Sequence, residues 1–239
     1  MTDSDNNKIR KITPDGVVTT LAGSSTNTAG SADGTGTEAS FNYPDSVAVD
    51  ATGNMIVTDA RNNKIRKITP DGVVTTLAGS STNTAGSADG TGTAASFSGP
   101  AGVAVDAGGN VIVADFSNNK IRKVTPDGVV TTLAGSSTNT AGSADGTGTA
   151  ASFRGPAGVA VDAGGNVIVA DFSNNKIRKV TPDGVVTTLA GSSTNTAGSA
   201  DGTGTAASFR GPAGVAVDAG GNVIVADYRS SKIRKIFMP

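Results

Sequence analysis

The chain contains no cysteine, no histidine and no tryptophan. Without cysteine there is no disulfide framework and no thiolate chemistry, and the redox compartment leaves no trace. Without histidine the usual base of a serine nucleophile and the commonest zinc ligand are both missing. Glutamate occurs once, at Glu38, and methionine three times, so good helix formers are scarce. No stretch approaches the roughly 18 apolar residues of a membrane span, and Met1 to Lys11 is polar with no apolar core of a signal peptide. A soluble chain with neither a signal peptide nor a transmembrane segment is expected, its compartment unspecified. The net charge of −1 gives no long-range attraction to polyanions.

What is abundant is turn-forming and small. There are 33 Gly and 9 Pro in 239 residues, and much of the 36% hydrophobic content is Ala and Val. Many short strands joined by turns fit this composition, with a core of small β-branched side chains packed repeatedly.

The string Lys-Ile-Arg-Lys begins at Lys8, Lys64, Lys120, Lys176 and Lys232, a fixed spacing of 56 residues. Residues 97–152 recur as 153–208 with one change, Ser98 to Arg154. Such near-identity reflects recent amplification or deliberate construction. Within a unit, Gly102 to Asp106 forms a β-branched run, strand A, that stops at the turn cluster Ala107-Gly108-Gly109-Asn110. Strand B is Val111 to Asp115, and the polar bend Ser117-Asn118-Asn119 leads to strand C, Lys120 to Thr125. Pro126-Asp127-Gly128 then turns the chain into strand D, Val129 to Ala134. Each unit is predicted to be a four-stranded antiparallel meander. Apolar residues occur at both parities, Val111 and Val113 against Ile112 and Ala114, so both faces must be covered. A propeller blade, packed between two neighbours, meets that demand.

Val-Ile-Val-Ala-Asp followed by Asn-Asn-Lys-Ile-Arg-Lys, after Pro-x-Gly-Val-Ala-Val-Asp-x-x-Gly-Asn, resembles the NHL repeat. Asp145 to Phe153 is similar to the long interblade segment of bacterial NHL proteins. The resemblance covers the whole chain, 1–239 as a single domain, and implies a propeller used mostly for binding; such propellers usually have six blades, whereas four units are present here. The expected architecture is therefore an all-β propeller of four four-stranded antiparallel blades. Four A strands, four D strands and five C strands are counted, so the N-terminal D strand is expected to complete the blade begun by the C-terminal A, B and C strands. One C strand, Lys8 to Ile12 or Lys232 to Phe237, is then surplus. The alternative is an oligomer or a strand-exchanged ring, which identical blades favour.

Two sets of carboxylates are candidates for a cation such as Ca²⁺. Asp50, Asp106, Asp162 and Asp218 end the A strands and could form a ring; the competing reading is an Asx turn capping Asp-Ala-Gly-Gly-Asn. Asp33, Asp89, Asp145 and Asp201 open Asp-Gly-Thr-Gly, but neither a phosphate-loop Lys nor the EF-hand spacing follows. Asp59, Asp115, Asp171 and Asp227 are expected to brace the Asn-rich bends. The connection Ser136 to Pro156 exceeds the roughly 12–15 residues usual for an unstructured loop, and Phe41, Phe97, Phe153 and Phe209 are its expected docking anchors.

The Lys-Ile-Arg-Lys strings hold 15 of the 19 Lys and Arg, a belt that could bind RNA as some NHL domains do. No aromatic residue alternates with these cations to stack bases, so snorkelling side chains on an Asp-flanked strand are expected instead. NHL-like lyases that depend on His ligands are similar in fold only. A catalytic site needs different groups around one substrate, and here one environment is repeated. The functional expectation is thus a non-enzymatic binding or scaffold propeller, or an amplified repeat with no selected ligand. No catalytic residue and no cofactor is expected, Ca²⁺ being the one candidate. The expected partner is protein rather than nucleic acid or membrane, with the chain a monomer or a strand-exchanged homo-oligomer.

Overall fold

The computed structural model describes residues 1–238. Its strands form five antiparallel sheets. The first holds β1 (Thr2–Asp3), β2 (Lys8–Ile12) and β3 (Val18–Ala22). The second holds β4 (Gly34–Thr35), β5 (Pro44–Val49), β6 (Met55–Asp59), β7 (Lys64–Ile68) and β8 (Val73–Ala78). The third holds β9 (Gly90–Thr91), β10 (Pro100–Val105), β11 (Val111–Asp115), β12 (Lys120–Val124) and β13 (Val129–Ala134). The fourth holds β14 (Gly146–Thr147), β15 (Pro156–Val161), β16 (Val167–Asp171), β17 (Lys176–Val180) and β18 (Val185–Ala190). The fifth holds β19 (Pro212–Val217), β20 (Val223–Asp227) and β21 (Lys232–Ile236). The expected strands A to D match β10 to β13 within two residues at each end. The chain divides into two compact units, 1–111 with 124–131, and 112–123 with the segment from 132 onward.

In the first unit the second sheet runs β4-β8-β7-β6-β5, so the Gly-Thr of the long connection adds a fifth strand beside strand D. Phe41 and Val57 of this sheet pack on Ile9 and Ala22 of the first sheet, all fully buried. In the second unit the same arrangement recurs. Gly146 and Thr147 pair with Val186 and Val185, so the connection from Ser136 to Pro156 is ordered by docking, with Phe153 buried as its anchor. Ile168, Ala170, Ile177 and Ala190 of the fourth sheet meet Phe209, Val223 and Val225 of the fifth. The cores thus lie between successive sheets, which is why both faces of strand B are apolar.

Five sheets of three to five strands replace the expected four blades of four strands. The N-terminal D strand does not complete the C-terminal blade: β3 pairs with β2 of its own sheet, from Ile9↔Ala22 to Ile12↔Val18. The reason is local. Thr13-Pro14-Asp15-Gly16 makes a tight turn, with Gly16 at φ 82 and its N–H donating to Thr13 O, so strand D closes on the adjacent strand C at small entropic cost. Neither terminal C strand is surplus either, because β21 pairs with β20 along its length, from Val223↔Ile236 to Asp227↔Lys232.

Candidate functional site

The most structured polar feature is built at the bend between strands B and C. Asp59 ends β6, and after a single turn of 3-10 helix Asn63 takes a left-handed φ of 54, which brings Arg66 of β7 back beside Asp59. Asp59 Oδ2 accepts from Asn62 Nδ2 at 2.9 Å and from Arg66 Nη1 at 2.8 Å, while Oδ1 accepts from the N–H of Asn42 at 2.8 Å. Burial pushes the Asp59 carboxyl up against these three donors, which pull it down. Arg66 Nη2 donates to Ala32 O at 2.9 Å and to Asp33 Oδ1 at 2.7 Å, and its guanidinium lies 5.1 Å from the centre of the Phe41 ring. Arg66, Arg122 and Arg178 are 0% exposed. They do not snorkel, as the strand pattern suggested, because each pairs with a buried carboxylate of its own sheet, Asp59, Asp115 or Asp171.

The fourth sheet repeats the node: Arg178 Nη1 reaches Asp171 at 2.9 Å and Nη2 reaches Asp145 at 2.6 Å. Asp145 also accepts from the N–H and the hydroxyl of Thr188, on strand D. Its burial opposes ionisation, yet the Arg178 and Thr188 donors hold its carboxyl below the ordinary range. Asp33 makes the same contacts with Arg66 and Thr76, and Asp89 stands at the equivalent position before β9.

The Asp residues that end the A strands close their own turns. Asp106 Oδ1 accepts from the N–H groups of Gly108 and Asn110, and Asp162 and Asp218 do the same with their Gly and Asn partners. Asp50 does so with Thr52 and Asn54. Lys235 Nζ adds an ion pair to Asp218 at 2.9 Å. Among the described residues, no three His, Cys, Asp or Glu side chains are grouped so as to hold a metal ion.

The fifth sheet departs from its siblings. Among the described residues no D strand lies beside β21. Ile233 is 76% exposed there, whereas Ile65, Ile121 and Ile177 at the same position are 0% exposed. Asp201 still pairs with Arg234 at 2.6 Å but is 96% exposed against 49% for Asp145. Beside β21 lies a cleft of about 930 Å³ whose lining includes Leu189, Asp201, Thr203, Phe209, Ile233 and Ile236.

The sequence profile of the NHL repeat matches residues 97–124, 153–180 and 209–236. Each match runs from a buried Phe anchor through strands A and B to the end of strand C, and so spans the Asp–Arg node. This chain carries three NHL repeats in a β-propeller fold. No curated protein matches it significantly. The NHL chain is similar to a structural genomics protein of unknown function from Bacteroides thetaiotaomicron, at 23% identity and TM-score 0.68, over 97% of this chain and 64% of that one. It is also similar to an auxiliary nutrient binding protein from the same organism, at 18% identity and TM-score 0.73, over 98% and 54%. A virginiamycin B lyase from Staphylococcus aureus shares 18% identity at TM-score 0.58, over 94% and 57%. The NHL chain therefore spans less than two thirds of the length of each. These likenesses show the fold.

Sequence reasoning placed the Asp residues of this NHL chain at their turns but missed the depth of the Arg. The signal was present in the strict seven-residue spacing of Asp59 and Arg66, which an antiparallel B–C pair brings together. It also missed the coupling of two departures in the second sheet. Ser46 stands where the fourth sheet has Gly158, and Thr58 where it has Ala170; the Thr58 hydroxyl donates to Ala101 O at 2.6 Å and accepts from the N–H of Ser46.

Proposed function

We propose that this chain is a non-enzymatic binding protein with a protein partner, and that β21 pairs with an extended segment, either of that partner or of further chain of the same protein. The observation that carries the reading is the exposure of Ile233 beside a cleft whose sibling sites are filled. The fourth sheet defines the chemistry of the occupant. There strand D pairs with β17 through Ile177↔Ala190, Arg178↔Thr188 and Val180↔Val186, and Thr188 gives its N–H and hydroxyl to Asp145. At the fifth sheet Asp201 is held by Arg234 in the same way and has open acceptor capacity for such a donor pair. The segment that fits is a strand of the pattern Val-Val-Thr-Thr-Leu-Ala, added by main-chain hydrogen bonding with Thr opposite Asp201.

Catalysis is disfavoured by the same chemistry. The chain has no His or Cys, and the carboxylates that accept from a Thr hydroxyl, Asp33 and Asp145, are each held by an Arg guanidinium, which weakens them as bases. One neighbour in fold is described as nutrient binding and another as a lyase, so the fold accommodates either.

The test is titration of the purified chain with a labelled peptide Thr-Pro-Asp-Gly-Val-Val-Thr-Thr-Leu-Ala-Gly. Saturable binding that weakens on D201N or I233D, and on changing the second Thr of the peptide to Val, is expected. Absence of saturable binding by the wild-type chain would overturn the reading. Concentration-dependent mass that the peptide reverses would identify a second copy as the partner.

A further inference from the structure

Outside the five Lys-Ile-Arg-Lys strings the chain has only four basic residues, and all are arginine: Arg61, Arg154, Arg210 and Arg229. They fall at two positions of the repeat, one just after the Phe anchor and one in the B–C bend. The second sheet carries Asn42 with Arg61, the third Ser98 with Ser117, the fourth Arg154 with Ser173, and the fifth Arg210 with Arg229. Only in the last does an arginine occupy both. The two positions are neighbours through the backbone, since the N–H of Arg229 donates to Arg210 O at 3.0 Å, as that of Ser173 does to Arg154 O.

We propose that Arg210 and Arg229 form a binding site for a phosphate-class oxyanion. They line an open concavity of about 500 Å³ with Ala197, Gly198, Ser199 and Ser230, a wall that contains two guanidinium groups and two hydroxyls and no carboxylate. Neither guanidinium makes an ion pair among the described residues, although both are exposed. The support beneath them is rigid. The N–H of Arg210 donates to the buried Asp227 at 2.7 Å, the N–H of Gly198 donates to Phe209 O at 2.9 Å, and the Arg229 guanidinium stacks 4.8 Å from the centre of the Phe172 ring. Stacking on an aromatic face leaves the edge of a guanidinium free to donate and restricts its rotamers before a ligand arrives. Two arginine side chains on one concavity match the charge of a phosphate group, with Ser199 and Ser230 in the same wall to supply hydroxyls to the remaining oxygens. The site is separate from the β21 edge and stands whether or not that edge binds a strand.

The sibling loops supply the controls. R210S restores the residue of Ser98 and R229S that of Ser173, so both substitutions reproduce loops that already fold in this chain. Inorganic phosphate, and in a second arm glycerol 3-phosphate, is titrated into isotopically labelled protein while backbone and arginine side-chain resonances are followed. Saturable shifts confined to residues 197–199, 210–211 and 229–230 are expected, with affinity falling as salt is raised. Each single variant should weaken binding by about tenfold, and the double variant should abolish it. R154S, which removes the lone arginine of the preceding loop, should leave binding unchanged, and the melting temperature should be unaltered in all. Tighter binding of the ester than of inorganic phosphate would mean that the site takes the group on a carrier molecule. Absence of saturable shifts, shifts spread over all the basic loops, or unchanged binding by the double variant would overturn the proposal.

Discussion

Arg66 is one of three fully buried arginines, with Arg122 and Arg178, whose loss the fold tolerates poorly. It and Asp59 are both 0% exposed and 2.8 Å apart, so removing the cation leaves a carboxylate in the interior. R66A should cost about 3–5 kcal/mol, measured by denaturant unfolding, and R178A a similar amount. Arg10 is the internal comparison: it pairs with Asp3 at 3.2 Å with both side chains about a quarter exposed, at 27% and 24%. R10A should cost no more than about 1 kcal/mol. Equal costs for R10A and R66A would contradict burial as the source of the difference.

The turn carboxylates give a pH dependence of definite sign. Burial opposes ionisation of Asp50, but the combined donors from Asn54 and Thr52 outweigh it and bring its carboxyl down to about 2. The Lys235 ammonium, with Asn222, brings Asp218 to about 2 as well. A depressed value in the folded state stabilises above the free value of about 3.9, and the contribution is lost as pH falls through about 2. Asp59 and Asp171, raised by burial, act with the opposite sign and lose their contribution as pH rises through their folded values. The D50N/D218N variant should therefore show a shallower loss of melting temperature between about pH 4 and pH 2 than the wild type. We also propose that these turns need no cation, because the Asp106-type carboxylates already accept from backbone N–H groups and Asn. A chelator should leave the melting temperature unchanged; a fall would reveal a bound cation.

At the scale of the element, the inner strands approach so closely that one position admits no side chain. A Cβ on Gly158 of β15 would stand 2.5 Å from Ala213 O of β19. G158S alone should destabilise by about 1–3 kcal/mol. The second sheet carries Ser46 at this place together with Thr58, whose hydroxyl bonds the facing Ala101 carbonyl. The paired variant G158S/A170T should therefore recover part of the loss, a coupling that a double-mutant cycle reads directly. If the two costs simply add, the hydrogen bond from Thr58 is not what accommodates Ser46. Another exchange in the same sheet has a similar form. Tyr43 occupies a left-handed position, φ 55, held by glycine in the other sheets, and its ring stacks 4.5 Å from the Arg61 guanidinium.

Within each compact unit, the interface between successive sheets combines a buried Phe with small apolar side chains and one Asp–Arg node. Stability should rise with the number of such interfaces, as in other repeat proteins. Deleting Lys232 to Phe237 removes the partner of β20 and the guanidinium that pairs with the buried Asp227, so a clear fall in melting temperature is expected. An unchanged transition would mean that β21 is dispensable.

Strands A to D, their turns and the need to cover both faces of strand B were legible from the sequence, since alternation, Pro-Asp-Gly and Asp-x-Gly-Gly-Asn act within a few residues. The Asx role of Asp106 was legible for the same reason. The two-residue strands β4, β9 and β14 were not, because a Gly-Thr pair is too short to show alternation and pairs only when a D strand from a later part of the chain lies beside it.

Lys-Ile-Arg-Lys states the limit most clearly. The five copies are identical, so the sequence by itself determined that each would be a C strand following a polar bend. Only the tertiary structure decided that Arg66 is sealed from water and Ile233 is open to it. Backbone conformation follows from local turns and alternation, whereas burial depends on what lies against the strand, and among the described residues a D strand lies beside β7 and none beside β21.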